Sequence, residues 1–198
     1  MAGRVFKCVI LGAPASGKGT ISARIVNHFD IVHISSGDKL RQNIENRTPI
    51  GFEAQQYIQA GKLVPDETMI KFITGEIKKV GNKAWLLDGF PRTLSQAVAL
   101  WDLERLNLAM NLIVPYKIIV DRGKDDVTGE PLIQREDDKP DIVMKRLEQY
   151  EEMTVPVIEF YRDKRILRDL NGEESEKLWQ HVSEELALHV PSKSVRKT

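Results

Sequence analysis

The chain has 198 residues, 41% of them hydrophobic and 29% charged, with 29 basic and 29 acidic side chains. This is enough for one sizeable core, and a formal net charge of zero argues against a general nucleic-acid or membrane-surface binder. The single cysteine, Cys8, cannot form an internal disulfide or a structural zinc cluster, and no apolar stretch approaches membrane-spanning length.

Only Met1 to Arg4 precede the first apolar run, so no cleaved targeting peptide is expected. That run, Val5–Leu11, reads as a strand. It leads into Gly12-Ala13-Pro14-Ala15-Ser16-Gly17-Lys18-Gly19-Thr20, and Lys18–Phe29 then has helical length. Strand, G-x-x-x-x-G-K and helix together form a phosphate-binding loop. Its glycines let the backbone approach a polyphosphate, and successive N–H groups form an anion nest. The following helix adds its positive dipole end. Lys18 supplies a mobile charge for the terminal phosphates. Gly19 stands where a magnesium-facing hydroxyl is usual, and Thr20 follows it.

Ile31–Ile34 is a second short strand, followed by Ser35-Ser36-Gly37-Asp38-Lys39-Leu40-Arg41. Ser36 or Asp38 can cap a helix there, with Arg41 on its first turns. From Asp38 to Glu76, helical segments are broken by Pro49, Gly51, Gly61 and Pro65, as in a small helical insertion. Trp85–Leu87 reads as a strand ending on Asp88-Gly89-Phe90-Pro91-Arg92-Thr93. A carboxylate at a strand end can order magnesium and its waters. Arg92 can clamp a phosphate in two-pronged fashion. Gln96, one turn on, can read a base edge.

Thr93–Leu106 and Tyr116–Asp121 read as helices flanking a strand at Leu112–Val114. Arg122–Lys139 is polar and turn-rich, like a surface flap. Pro140–Asp163 reads as a helix, Ile166–Leu170 as the last strand and Glu173–Leu188 as the last helix. The strands are apolar without alternation, as in a parallel sheet covered on both faces. The expected fold is therefore α/β: a P-loop NTPase three-layer sandwich around a five-stranded parallel sheet. A molecular-switch GTPase does not fit. Asp126-Val127-Thr128-Gly129 lies far down the chain without a strand ahead, and Asn82-Lys83-Ala84-Trp85 lacks the base-reading aspartate. His28, His33, His181 and His189 have no metal-ligand spacing.

Together, GAPASGKGT, SSGDKLR, GKLVPDE (Gly61–Glu67), WLLDGFPRT (Trp85–Thr93) and DVTGEPLIQREDDKP (Asp126–Pro140) resemble the adenylate kinases, of the nucleoside monophosphate kinase family. The resemblance runs from Val5 to about Pro191 and is greatest to the mitochondrial-matrix branch, whose preferred donor is often GTP. It implies transfer of the terminal phosphate of Mg-ATP or Mg-GTP to AMP, with Mg2+ arriving on the donor. It implies a donor site of Gly12, Ala15, Ser16, Gly17, Lys18, Gly19, Thr20 and Arg122, with Thr20 and Asp88 near the metal mainly through water. It implies an acceptor site of Ser36, Arg41, Val64, Gly89, Arg92 and Gln96. Lys18, Arg92, Arg135 and Arg146 would surround the transferring group. A monomer in the mitochondrial matrix, otherwise the cytoplasm, is expected, with no nucleic-acid or membrane partner.

The same resemblance divides the chain into a core at residues 1–34, 65–121 and 139–191, an acceptor-binding insertion at 35–64, a lid remnant at 122–138 and a tail at 192–198. The lid is the departure. Long-lid relatives carry a four-strand lid between the positions of Arg122 and Gly123, and here these two are adjacent. Reduced turnover is the expected consequence. A weakly active or non-catalytic partner-binding relative, or a kinase for UMP or CMP, are the alternatives.

Overall fold

The computed structural model describes residues 5–60, 62–115, 146–172 and 175–193. Five strands form one parallel sheet: β1 (Lys7–Gly12), β2 (Val32–Ser35), β3 (Trp85–Asp88), β4 (Leu108–Ile113) and β5 (Leu167–Asn171). Their spatial order is β2-β3-β1-β4-β5. β1 is therefore central, and the chain leaves it to one side for β3 and β2 and returns to the other for β4 and β5. Loops at the carboxyl edge diverge at such a reversal and open a crevice there.

Alternate residues along β1 face opposite layers, as the period of a strand demands. Val9 and Leu11 join Trp85, Leu87 and Ala109 in one core. Helices α4 (Asp66–Val80), α5 (Leu94–Leu103) and α6 (Val155–Asp163) cover it with Ile73, Ile77, Ala97, Leu100, Val157 and Tyr161. Cys8 and Ile10 join Leu86, Leu108 and Met110 in the other core. Helices α1 (Lys18–His28) and α7 (Ser175–Ala187) cover it with Ile21, Ile25, Leu178, Val182 and Leu186. The result is the expected three-layer sandwich. Cys8 is fully buried, and burial pushes its thiol pKa far up, which fits a packing role.

Between β2 and β3 the chain forms α2 (Ser36–Glu45), α3 (Pro49–Gln59) and α4. Ser35 Oγ, rather than the expected Ser36 or Asp38, caps α2 by accepting the Asp38 N–H at 3.2 Å, because the helix begins at Ser36; Thr48 Oγ1 caps α3 through the Gly51 N–H at 3.2 Å. Gly51 is where the two helices cross, since a Cβ there would lie 2.1 Å from the Asn43 carbonyl oxygen.

Most boundaries shift by one or two residues, and two elements differ from the sequence reading by more. β4 begins at Leu108, four residues before the expected Leu112. Asn111 interrupts its apolar run yet is buried, because its Nδ2 donates to Asp169 Oδ1 of β5 at 2.8 Å. The Thr93–Leu106 helix is shorter, Leu94–Leu103, and turns extended at Glu104. The expected helix at Tyr116–Asp121, the lid remnant and the start of the Pro140 helix lie outside the described residues. The described part of that last helix begins at 146 and widens to a π turn over Tyr150–Thr154 before α6.

Candidate nucleotide-binding and phosphoryl-transfer site

The parallel register places Ile10 of β1 beside Asp88 of β3, and Asp88 beside Ser35 of β2. The phosphate loop, the Asp88 carboxylate and the Ser35-Ser36 turn therefore leave the sheet from adjacent strand ends.

The loop after β1 is shaped by backbone conformation. Gly12 has φ 149°, and a Cβ there would lie 2.8 Å from Ser16 Oγ and 2.9 Å from the Leu112 carbonyl oxygen. Ala15 and Gly17 also have positive φ, 59° and 81°. The Ser16 N–H donates to the Ala13 carbonyl at 3.2 Å, closing the turn. Gly17 caps α1 with no side-chain hydrogen bond, whereas Ser35, Thr48 and Thr93 cap α2, α3 and α5 with theirs. No side chain caps the first-turn amides of α1, which is compatible with an anion bound at that helix end. Gly19 has open space around its Cβ position, so its absence of a side chain is not a packing requirement.

Lys18 Nζ donates to the carbonyls of Gly12 at 2.8 Å and Ala13 at 2.7 Å, and lies 3.5 Å from Ser16 Oγ. Burial pulls its pKa down to about 8; Asp88 opposes the shift, while Arg92 and Arg146 reinforce it. The ammonium is held among cations in a partly dehydrated place, which favours an incoming polyanion.

One cleft at this edge, of about 590 Å³ with its open mouth, is lined by Gly12, Lys18, Gly89, Arg92 and Arg146, together with Leu63, Tyr150 and Thr154. Sequence positions more than a hundred residues apart thereby meet in one electropositive pocket. Gly89, at φ 75°, lies against Arg92 and brings Ser36 close: a Cβ there would lie 2.6 Å from Ser36 Oγ and 3.3 Å from Arg92 Nη2. Arg92 Nε donates to the Gly89 carbonyl at 2.8 Å, which folds its side chain back over the turn.

Asp88 is nearly buried, with Ser22 Oγ 3.4 Å and His33 Nε2 3.5 Å from its Oδ2. Among the described residues no group of three or more His, Cys, Asp or Glu could cage a metal ion. One strand-end carboxylate and the Thr20 hydroxyl suit magnesium that brings phosphate oxygens and waters with it.

Other expected residues stand further off. Arg41 does not line the cleft; its guanidinium pairs with Asp38 and lies against Gly37. Val64 is buried in the core beneath the insertion. Gln96 is buried, its side chain bonded to Asp66 and to the Arg92 backbone. Arg122 and Arg135 lie outside the described residues.

Sequence reasoning missed Asp66, Thr154 and His33. Asp66 opens α4 inside LVPDE, where an acidic residue reads as an ordinary dipole partner. Thr154 lies 62 positions from its partner Arg92, so no local pattern marks it. His33 shows no metal-ligand spacing in the sequence, and only the pairing of β2 with β3 brings it to Asp88.

A phosphate loop on the central strand of a five-stranded parallel sheet, facing cations at the carboxyl edge, defines a P-loop nucleotide-binding fold. A family model described as Adenylate kinase matches residues 10–166, and the chain belongs to that family. It is 45% identical to a protein named GTP:AMP phosphotransferase, mitochondrial, from Drosophila melanogaster, over 89% of this chain and 93% of the relative. It is 37% identical to an Adenylate kinase from Shouchella clausii, over 83% of this chain and 89% of the relative, and 39% identical to one from Clostridium beijerinckii, over 84% and 91%.

These alignments are longer than the residues they use here. The Drosophila alignment spans 200 positions, but 89% of 198 residues is about 176, so about 24 positions face gaps in this chain. The Shouchella alignment spans 194 positions and uses about 164 residues, leaving about 30 facing gaps.

Proposed function

We propose that the protein is an AMP kinase: it moves the terminal phosphate of Mg-ATP or Mg-GTP to AMP, reversibly, giving two diphosphates. The observation that carries this is the convergence of Lys18, Arg92 and Arg146 on one cleft beside the phosphate loop. Phosphoryl transfer needs alignment and positive charge around the transferring group more than covalent help.

In this reading the loop Gly12–Thr20 and the start of α1 hold the donor phosphates. Lys18 leaves the loop carbonyls to follow the β- and γ-phosphates. Asp88 and Thr20 orient the waters of the magnesium that arrives with the donor. Arg92 holds the acceptor phosphate beside Gly89 and Ser36, and Arg41 joins it when the insertion closes. Gln96 and the Val64 backbone read the acceptor base. Arg122 lies against the donor base. Arg135 and Arg146 neutralise charge that develops in transfer, and no side chain is needed as an obligatory general base.

GTP as a donor and a place in the mitochondrial matrix are favoured by the Drosophila relative, whose name carries both GTP:AMP transfer and mitochondrial. The working unit is a monomer. A test crosses ATP and GTP with AMP, UMP and CMP in a coupled assay; AMP should be the preferred acceptor by a wide margin, and equal use of UMP would overturn the reading.

The gap positions favour a second feature. We place them in the lid, where Arg122 and Gly123 are adjacent, so cover over the donor is shortened and one transition-state cation is missing. Loss of one such contact typically costs about 10²–10³ in rate, and incomplete closure admits water as a competing acceptor. Slow phosphate release from Mg-NTP without AMP is the expected sign. Donor and AMP binding with no diphosphate formed would instead identify a non-catalytic relative.

A further inference from the structure

Gln96 sits in a ring of hydrogen bonds that determines which way its amide faces. Its Oε1 accepts the Arg92 backbone N–H at 2.8 Å, and its Nε2 donates to Asp66 Oδ1 at 2.8 Å. Asp66 Oδ2 accepts Thr93 Oγ1 at 2.7 Å, and Thr93 Oγ1 accepts the backbone N–H of Gln96 at 3.2 Å. Gln96 is 2% exposed and Thr93 is buried, while Asp66 is half-buried.

The chemistry allows one orientation only. A backbone N–H donates and cannot accept; a carboxylate accepts. Turning the amide over would set N–H against N–H at one end and carbonyl against carboxylate at the other. In a buried place each such mismatch carries a full desolvation penalty. Capacity remains at both ends, because Oε1 has a second lone pair and Nε2 a second hydrogen. Gln96 therefore offers one acceptor and one donor in a set order.

We infer that Asp66 is a positioning residue that sets acceptor-base specificity by locking the Gln96 amide in the order that suits a 6-aminopurine. This deepens the proposed role of Gln96 and rests on it. A 6-aminopurine offers an amino hydrogen to Oε1 and the N1 lone pair to Nε2–H. A 6-oxopurine offers the reverse, a carbonyl oxygen and an N1–H. A free glutamine would turn over to meet it; a locked one presents donor to donor and acceptor to acceptor. Thr93 contributes by holding the second carboxylate oxygen, so that Asp66 itself does not swing.

The test is competition between AMP and inosine monophosphate, read as the ratio of the inosine nucleotide's Ki to the KM for AMP. Asp66→Asn can offer either an oxygen or an N–H to Gln96, so the Asp66 end of the lock becomes neutral and only the Arg92 N–H still favours the native order. The ratio should fall about tenfold, and Asp66→Ala should lower it similarly; two variants of different chemistry guard against one failing to fold. Gln96→Ala should also lower the ratio, and adding Asp66→Asn to it should lower it no further. Weakening of both nucleotides together, at an unchanged ratio, would mean that Asp66 only supports the fold and would overturn the inference. If Gln96→Ala itself leaves the ratio unchanged, the base-reading role of Gln96 is wrong. If Gln96→Ala lowers it and both Asp66 variants do not, only the lock is wrong.

Discussion

Thr154 Oγ1 donates to the main-chain carbonyl of Arg92 at 3.0 Å. The bond ties the π turn Tyr150–Thr154 to the loop after β3. Arg146 lies four residues before that turn in the same helical stretch, so this buried hydroxyl links the helix that carries Arg146 to the backbone of Arg92. Single π turns inside helices recur at functional sites.

Thr154→Val keeps the shape and removes the donor. Because Thr154 is 8% exposed, losing its buried hydrogen bond to the Arg92 carbonyl should cost about 1–3 kcal/mol of stability. Misplacement of the two arginines should lower transfer by up to about 10²-fold. Thr154→Ser should restore most of both, as thermal unfolding and kcat/KM for AMP would show.

The two cationic anchors should separate by substrate. Arg92→Ala should reduce transfer by about 10²–10³ while leaving Mg-NTP binding nearly intact. Lys18→Ala should weaken donor binding and transfer together. Calorimetry with donor alone and steady-state rates with both nucleotides distinguish them. Unchanged AMP turnover in Arg92→Ala would remove that residue from the site.

Donor binding should depend on pH in a way that reports Lys18. Its pKa in the free protein is pulled down to about 8 by burial, with Arg92 and Arg146 adding to the shift against Asp88. The side chain is charged below that pH and neutral above it. A bound polyphosphate favours the charged form, so binding above pH 8 must draw in a proton. Affinity for Mg-NTP should be level near pH 7 and then fall towards about tenfold per pH unit above 8. Lys18→Met should bind weakly with a flat profile over the same range.

The two loop glycines should behave oppositely. Gly12→Ala meets Ser16 Oγ and the Leu112 carbonyl at under 3 Å with φ at 149°, and should cost about 1–3 kcal/mol. Gly19→Ala meets nothing within 4 Å on the first turn of α1, and should be neutral or stabilising by up to about 1 kcal/mol. Denaturant unfolding of the two variants without nucleotide measures this directly.

Much of this architecture was legible in the sequence because its signals are local. The apolar runs at β1 and β3 are contiguous, and the loop after β1 carries a lysine at a diagnostic spacing. β4 was read short because Asn111 looks like a break until its partner Asp169 is known. Gln96 could be placed on the face of Arg92, but the orientation of its amide depends on Asp66, thirty positions earlier. The link between Thr154 and Arg92 was invisible for the same reason. Pairing between distant segments leaves no periodicity behind, so it is what the coordinates add.

The central claim is direct transfer between two nucleotides held end to end above the sheet. Following the label from [γ-32P]NTP in the presence of magnesium and AMP tests it most directly. The account predicts that label appears in the β-position of newly formed ADP, one for each donor diphosphate produced, and that Arg92→Ala slows its appearance by about 10²–10³. Label found only in inorganic phosphate while AMP is bound, or no movement of label with both nucleotides bound, would contradict it.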